Sequence, residues 1–333
     1  MDPCTQALLG AGLAGSLAKK DKLKIAIISG GIGGLAPDLD ILIRSSNDPL
    51  LSIEYHRHFT HSLAFVPLGA MVVALFLYVF LKNKTSFKHI YLFTCLGFFS
   101  HGLLDSCTSY GTSLFWPISN NRVAWNIISI IDPIYTLSLL IAVLLCLKYN
   151  SILLIRVGLI FSCIYLTLGF IKHQNILNYI NKIAEQRGHK IERILLNPTI
   201  GNNILWRTIY EFENFYYISA VYMPFFSEPL IKNGSKLKVI NKENVFPELG
   251  KGSLQRMDII RFSYFSQNYI YFHPEYENVI ADLRYGTLPY DDKSLWGIEI
   301  DTNNKENHVK FLNLRKFNNE HYKEFWTLLK GDF

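Results

Sequence analysis

Residues 62–82 read SLAFVPLGAMVVALFLYVFLK and carry no charge before Lys82. A helix of roughly 20 apolar residues crosses the hydrocarbon core of a bilayer. A helix that is apolar on every side belongs in a membrane or in the centre of a large protein. The segments 90–107, 133–147 and 152–171 repeat the pattern. Two shorter stretches, 7–18 and 25–36, are rich in Gly and Ala, which suits close packing of helices in a membrane. The expectation is about six short or full spans.

Charge divides the chain. Of 33 Lys/Arg and 27 Asp/Glu, only 12 and 8 fall in residues 1–171, and 21 and 19 lie beyond. The expected organisation is a transmembrane helical domain over 1–171, a connecting helix over 172–197, and a β-rich soluble domain over 198–333. About 160 residues suffice for an independent core. No basic run interleaved with aromatics points to a nucleic-acid partner. The five cysteines all lie in residues 4–163 without a CxxC spacing, and read as small buried hydrophobes, not as disulfides or a zinc ribbon. The N-terminus lacks the basic opening of a signal peptide.

Orientation follows from lysine. With the N-terminus outside, nine basic residues become cytoplasmic: Lys19, Lys20, Lys22, Lys24, Lys82, Lys84, Lys88, Lys148 and Arg156. Outside remain Arg44, Arg57 and Arg122. The positive-inside rule then places the protein in the cell's inner membrane with an extracytoplasmic C-terminal domain.

The same arrangement gathers ionisable groups from separate segments at the outer ends of the spans: Asp38 and Asp40; His56, Arg57, His58 and His61; His101 and Asp105; and Asp132. His101 and Asp105 are four apart, so a helix puts them on one face. Ionisable groups in membrane helices are costly and face protein or a cavity. Imidazoles mixed with carboxylates suit a divalent metal: zinc, with manganese and iron as alternatives. Asp38, His56, His61, His101 and Asp105 are the candidate metal ligands. Asp40 is the candidate general base, and Arg57 a clamp for an anionic group. Asp132 precedes Pro133 and equally suits a helix N-cap. The glycines at 30, 31, 33 and 34 lack the lysine of a phosphate loop and fit helix packing better.

The opening MDPCTQALLGAGLA, then PDLD, HRHFTHS, HGLLDSCTSYGT and IDPIYTL, resemble in order the YdjM-like membrane-bound metal-dependent hydrolases. The resemblance covers residues 1 to about 171 and extends weakly to ILWR at Trp206. It implies a metal-dependent hydrolase, phospholipase-like in one reading. The chain departs from that pattern at His58, where HRGxTHS has Gly, and at Gln6, where some relatives carry His.

Beyond Pro198 the texture is aromatic and β-branched. Residues 206–223, 259–272, 278–285 and 295–300 read as strands of an antiparallel sheet, and 321–329 as a helix. His273 and His308 look isolated. The resulting expectation is an α-helical polytopic domain followed by a small α+β domain. Its function would be hydrolysis of a phosphoester or acyl bond in a lipid or lipid-linked substrate, with membrane lipids as surroundings. The alternatives are a non-catalytic scaffold or a metal-handling transporter. Nothing in the sequence sets an oligomeric state.

Overall fold

A computed structural model describes residues 1–250 and 252–333. The chain forms two compact units. The first comprises Met1–Ile43, Tyr55–Ile171 and Ile200–Asn202. The second comprises Arg44–Glu54, Lys172–Thr199 and Asn203–Phe333.

The helices of the first part are α1 (Pro3–Leu17), α2 (Leu23–Leu35), α3 (Leu51–Tyr55), α4 (Val66–Leu81), α5 (Phe87–Ser106), α6 (Pro133–Tyr149) and α7 (Ile152–Gln186). Asp2 caps α1 and Asp132 caps α6, each accepting a backbone N–H three residues on, with Pro at the first helical position. Three helical stretches are long and apolar enough to cross a membrane: Lys20–Leu42, Leu63–Leu81 and Ile152–Gln186. Pro133–Tyr149 is a shorter apolar helix. On α4, Ala70, Ala74 and Leu77 are buried while Leu68, Val72, Leu75, Phe76, Val79 and Phe80 are exposed. An apolar stripe of that length facing outward is a lipid-facing surface.

The small residues of α1, α2 and α5 let these helices approach closely. A Cβ built on Gly97 of α5 would lie 2.0 Å from the carbonyl oxygen of Gly30 on α2. Only a hydrogen fits there, so the glycine-rich stretch 30–34 serves helix packing. Among the cysteines, Cys107 and Cys146 are buried, but Cys4 and Cys163 are exposed.

The second unit is built on the far end of α7, which continues unbroken from the apolar 152–171 segment to Gln186. The helix expected over 172–197 is this continuation. It stops short of Arg193–Pro198, which is strand β1. Strands β1, β2 (Leu205–Phe212), β3 (Phe215–Tyr222) and β4 (Leu230–Lys238) form one antiparallel sheet in sequential order. After helix α8 (Leu254–Phe265), β5 (Ile270–Phe272), β6 (Val279–Asp282), β7 (Trp296–Glu299) and β8 (Lys310–Asn313) form a second. Helix α9 (Asn319–Lys330) follows.

Strand alternation explains the layering. Trp206 and Tyr210 of β2 pack with Ile176, Ile180 and Ala184 of α7. Ile209, on the opposite face, packs with Tyr269, Tyr271, Val279 and Ala281 near and on the second sheet. Each large side chain buried this way stabilises the unit by roughly 1.5–3 kcal/mol before entropy is counted. One expectation fails. Residues 259–265, read as strand, belong to α8: Ser253 caps it, and Ile259, Phe262 and Phe265 bury one face at helical spacing. Their β-branched and aromatic character imitates a strand, but the period is that of a helix.

Candidate metal centre

Three stretches of unit 1 converge. The tight turn Ala36–Leu42, opened by Pro37 after α2, carries Asp38 and Asp40. The segment before α4 carries His56, Arg57 and His61, the last in a single 3-10 turn, Phe59–His61. Helix α5 supplies His101 and Asp105 one turn apart. Close approach sets this geometry: a Cβ on Gly102 would lie 2.2 Å from the carbonyl oxygen of His61. Any side chain at position 102 would push the histidine segment away from α5.

Asp38, His61, His101 and Asp105 form one group able to hold a metal ion. His61 Nε2 and His101 Nε2 are 2.8 Å apart. Asp38 Oδ1 lies 3.4 Å from each of them. Asp105 Oδ2 lies 3.3 Å from His61 Nε2 and 3.5 Å from His101 Nε2. All but Asp38 are fully buried.

The hydrogen-bond partners assign the tautomers. His101 Nδ1 is 2.6 Å from the carbonyl oxygen of Gly34, which can only accept, so Nδ1 carries the hydrogen. His61 Nδ1 is 3.2 Å from Asp40 Oδ2 and 3.0 Å from Thr60 Oγ1, whose own hydrogen goes to Asp40. It too is the donor. Both Nε2 atoms are turned to each other and to two carboxylate oxygens, so in the neutral rings each presents a lone pair there. One added proton would satisfy one such contact and leave the others. Asp105 Oδ2 is buried, with Arg57 Nε at 3.0 Å and the two Nε2 atoms as its neighbours. A tetrahedral ion with bonds of about 2.0–2.1 Å needs ligand atoms roughly 3.3 Å apart. Four of the five separations are 3.3–3.5 Å. All four ligand atoms lie within 4.8 Å of one another, and the donor set fits a divalent metal once the two imidazoles part slightly.

Around these four lies a layer of orienting groups. Asp40 is buried, and its oxygens take His56 Nδ1 at 2.8 Å, the backbone N–H of Arg57 at 3.0 Å and Thr60 Oγ1 at 2.9 Å, besides His61. The carboxylate expected to be a free base is fully engaged. His56 lies in a neighbouring group with Asp38 and Asp40, not in the four-residue group. It is half-buried, and donating Nδ1–H to Asp40 leaves its Nε2 as a lone pair. The Arg57 guanidinium is buried behind the site: Nε is 3.0 Å from Asp105 Oδ2, Nη1 donates to Thr108 Oγ1 at 2.8 Å, and the group lies over the Tyr110 ring. Arg57 also has φ +61°. The left-handed conformation thus falls on the residue before His58, where the family pattern has Gly. His58 sits among Tyr55, Phe59 and Trp116, away from the metal group.

Gln6, the position where some relatives carry His, stands beside the four-residue group. It is fully buried and donates to Asp105 Oδ1 at 2.8 Å. The Met1 nitrogen donates to the same oxygen. Thr60 and Thr108 were missed altogether; their hydroxyl bonds depend on contacts that sequence spacing does not reveal.

A third group, Asp48, Asp258 and His308, lies in unit 2. His308 is not isolated: its Nδ1 is 2.8 Å from Asp258 Oδ2. Arg261 occupies the centre of this group. It donates to Asp48 at 2.8 Å, to Asp258 at 2.9 Å and to Glu54. Burial raises the Asp48 carboxyl, but the hydrogen bonds from Arg261 and the Leu50 N–H, together with the Arg261 charge, outweigh it and hold Asp48 below its ordinary range.

The profile of the family described as YdjM inner membrane protein matches residues 1–176. A Bacillus subtilis relative, the uncharacterized protein YfhP, is 29% identical over 211 residues, 60% of this chain. The match covers 62% of that relative, less than two thirds of its length. No solved structure matches the chain. The family match takes in every segment that builds the four-residue group, and the chain belongs to the YdjM family of inner membrane proteins.

Proposed function

We propose that this protein is a membrane-bound metal-dependent hydrolase acting at the outer membrane–water interface. The observation that carries the reading is the pair of imidazole lone pairs facing each other between two carboxylates. Asp38, His61, His101 and Asp105 would hold the ion. Zinc suits two imidazoles and two carboxylates, as do manganese and iron. Such an ion acts as a Lewis acid on a carbonyl or phosphoryl oxygen.

The chain's own residues take the remaining tasks. Asp40 orients His61 through Nδ1 and fixes His56 in the same way. Asp40 therefore serves proton handling through His56, whose Nε2 is the accessible basic atom, and not as a bare carboxylate. Arg57 supplies positive charge beside Asp105. Asp38 is the least buried of the four ligands, so a substrate approaches from its side. In this reading α1, α2, α4, α5, α6 and α7 span the membrane, lysine bias puts the site and the C-terminal unit outside, and the substrate is a lipid or lipid-linked phosphoester or acyl compound.

The test is turnover of envelope lipid extract by the full-length protein in detergent, with and without chelator. The reading predicts turnover that chelator stops, added metal restores, and His61→Ala lacks. Chelator-insensitive turnover, or none with any envelope lipid or lipid-linked precursor, contradicts it and favours a scaffold.

A further inference from the structure

The second unit carries an aromatic tip that the metal centre does not use. Between β3 and β4 the chain runs Met223-Pro224-Phe225-Phe226-Ser227-Glu228-Pro229. Phe226 is fully exposed at 101% and Phe225 is exposed at 56%. Two adjacent bare phenylalanines are an unfavourable surface in water. Their position says what covers them.

The loop is fastened to α7 at Lys172. The buried Lys172 ammonium donates to the carbonyl oxygens of Met223, at 2.5 Å, and Pro224, at 2.7 Å. It also lies 4.0 Å from the centroid of the Phe225 ring. On α7 itself, Lys172 marks a change of surface. Before it the outward residues are Ile160, Ile164, Leu168, Phe170 and Ile171; after it they are Asn175, Asn178 and Lys182. Residues 152–171 make a helix of about 30 Å, the thickness of the hydrocarbon core. Residue 172 is thus level with the boundary where the span leaves the bilayer, and the Phe225 ring is held at that level.

We infer that the Phe225–Phe226 tip dips into the surface of the bilayer that α7 crosses, anchoring the second unit to the outer leaflet. Aromatic rings gather at this depth. Ser227 and Glu228, the next residues, turn back to water. The inference is independent of the hydrolase reading and stands or falls without it.

The test compares two single tryptophans added to the full-length protein in lipid nanodiscs. Phe226→Trp replaces a side chain with no packing to lose. Lys238→Trp, at the opposite end of β4, lies about 26 Å along the strand from Leu230. The emission each variant adds is measured with brominated acyl chains and, separately, with aqueous iodide. Brominated lipid should remove most of the emission added at 226 and leave that at 238, while iodide should do the reverse. If iodide quenches the 226 emission and brominated lipid leaves it intact, the tip stands in water and the inference is overturned.

Discussion

Two clusters in this molecule gather carboxylates, histidine and one arginine, and they are bonded in opposite ways. In unit 2, Arg261 sits inside the cluster and donates to Asp48, Glu54 and Asp258, while His308 turns its Nδ1 to Asp258. The positive charge the acids require is already part of the chain. In unit 1, Arg57 and the Met1 ammonium both sit at Asp105, and His61 and His101 turn their Nε2 atoms to each other and to Asp38. The chain's cations stand at one carboxylate and leave Asp38 to the two imidazoles. An acidic cluster with its own cation is a structural tie. One whose ring tautomers leave lone pairs converging is arranged for an ion from outside.

The largest effect that could break this contrast is loss of metal. His61→Ala and Asp105→Asn should each abolish stoichiometric metal in the purified protein, while Asp258→Asn and His308→Ala should leave it unchanged by elemental analysis. A full metal complement in both unit 1 variants would dissolve the distinction. Next comes Asp40→Asn, which removes an orienting charge and spares the ligands. Metal affinity should fall about 10–100-fold, the usual cost of losing an outer-shell partner. Titration against a competing chelator measures it, and an unchanged affinity would show that Asp40 does not position His61.

A packing variant comes third. Gly102→Ala puts a methyl group 2.2 Å from the His61 carbonyl oxygen and should cost about 1–3 kcal/mol of stability, with weakened metal binding. Gly31→Ala, whose nearest neighbour would be 3.4 Å away, is the control. Equal thermal midpoints for the two would argue against the tight approach of α5 to the histidine segment.

The smallest effect belongs to the self-contained cluster. Because Arg261 holds the Asp48 carboxyl below its ordinary value, the stabilisation is present above the unfolded aspartate value of about 3.9. It is lost as pH falls through the lower folded value. Arg261→Gln should therefore lower the melting temperature at pH 7, and by less as pH falls through the folded Asp48 value. The part-exposed pair contributes less than about 1 kcal/mol. A larger loss at pH 3 than at pH 7 would reverse the sign.

Much of unit 1 was legible because its signals are local. The i,i+4 pair His101–Asp105 needs only a helix, and the uncharged run before Lys82 needs only a length. The roles of Asp38 and Asp40 were not separable from sequence, since the turn Ala36–Leu42 decides which carboxylate faces the imidazoles. Gln6 and Thr60 act through contacts with distant or turn-dependent partners, and no periodicity announces them. In unit 2 the strand character of residues 206–223 was readable from their aromatic and β-branched side chains, while the turn that folds them into the β2–β3 hairpin was not. Helix α8 was not, because Ile259, Phe262 and Phe265 are side chains that strands also favour. The tie from Asp48 to Arg261 spans 213 residues and lies beyond any local reading.

Cobalt substitution tests the central claim most directly, because the visible spectrum of Co(II) reports its ligands. Metal-free protein titrated with cobalt should develop, at one equivalent, the ligand-field bands of a low-coordinate site with nitrogen and oxygen donors. His61→Ala and His101→Ala should lack them, and His308→Ala should show them unchanged. Absence of the bands in the wild-type protein, or their loss in His308→Ala alone, would contradict the assignment of Asp38, His61, His101 and Asp105 as the metal centre.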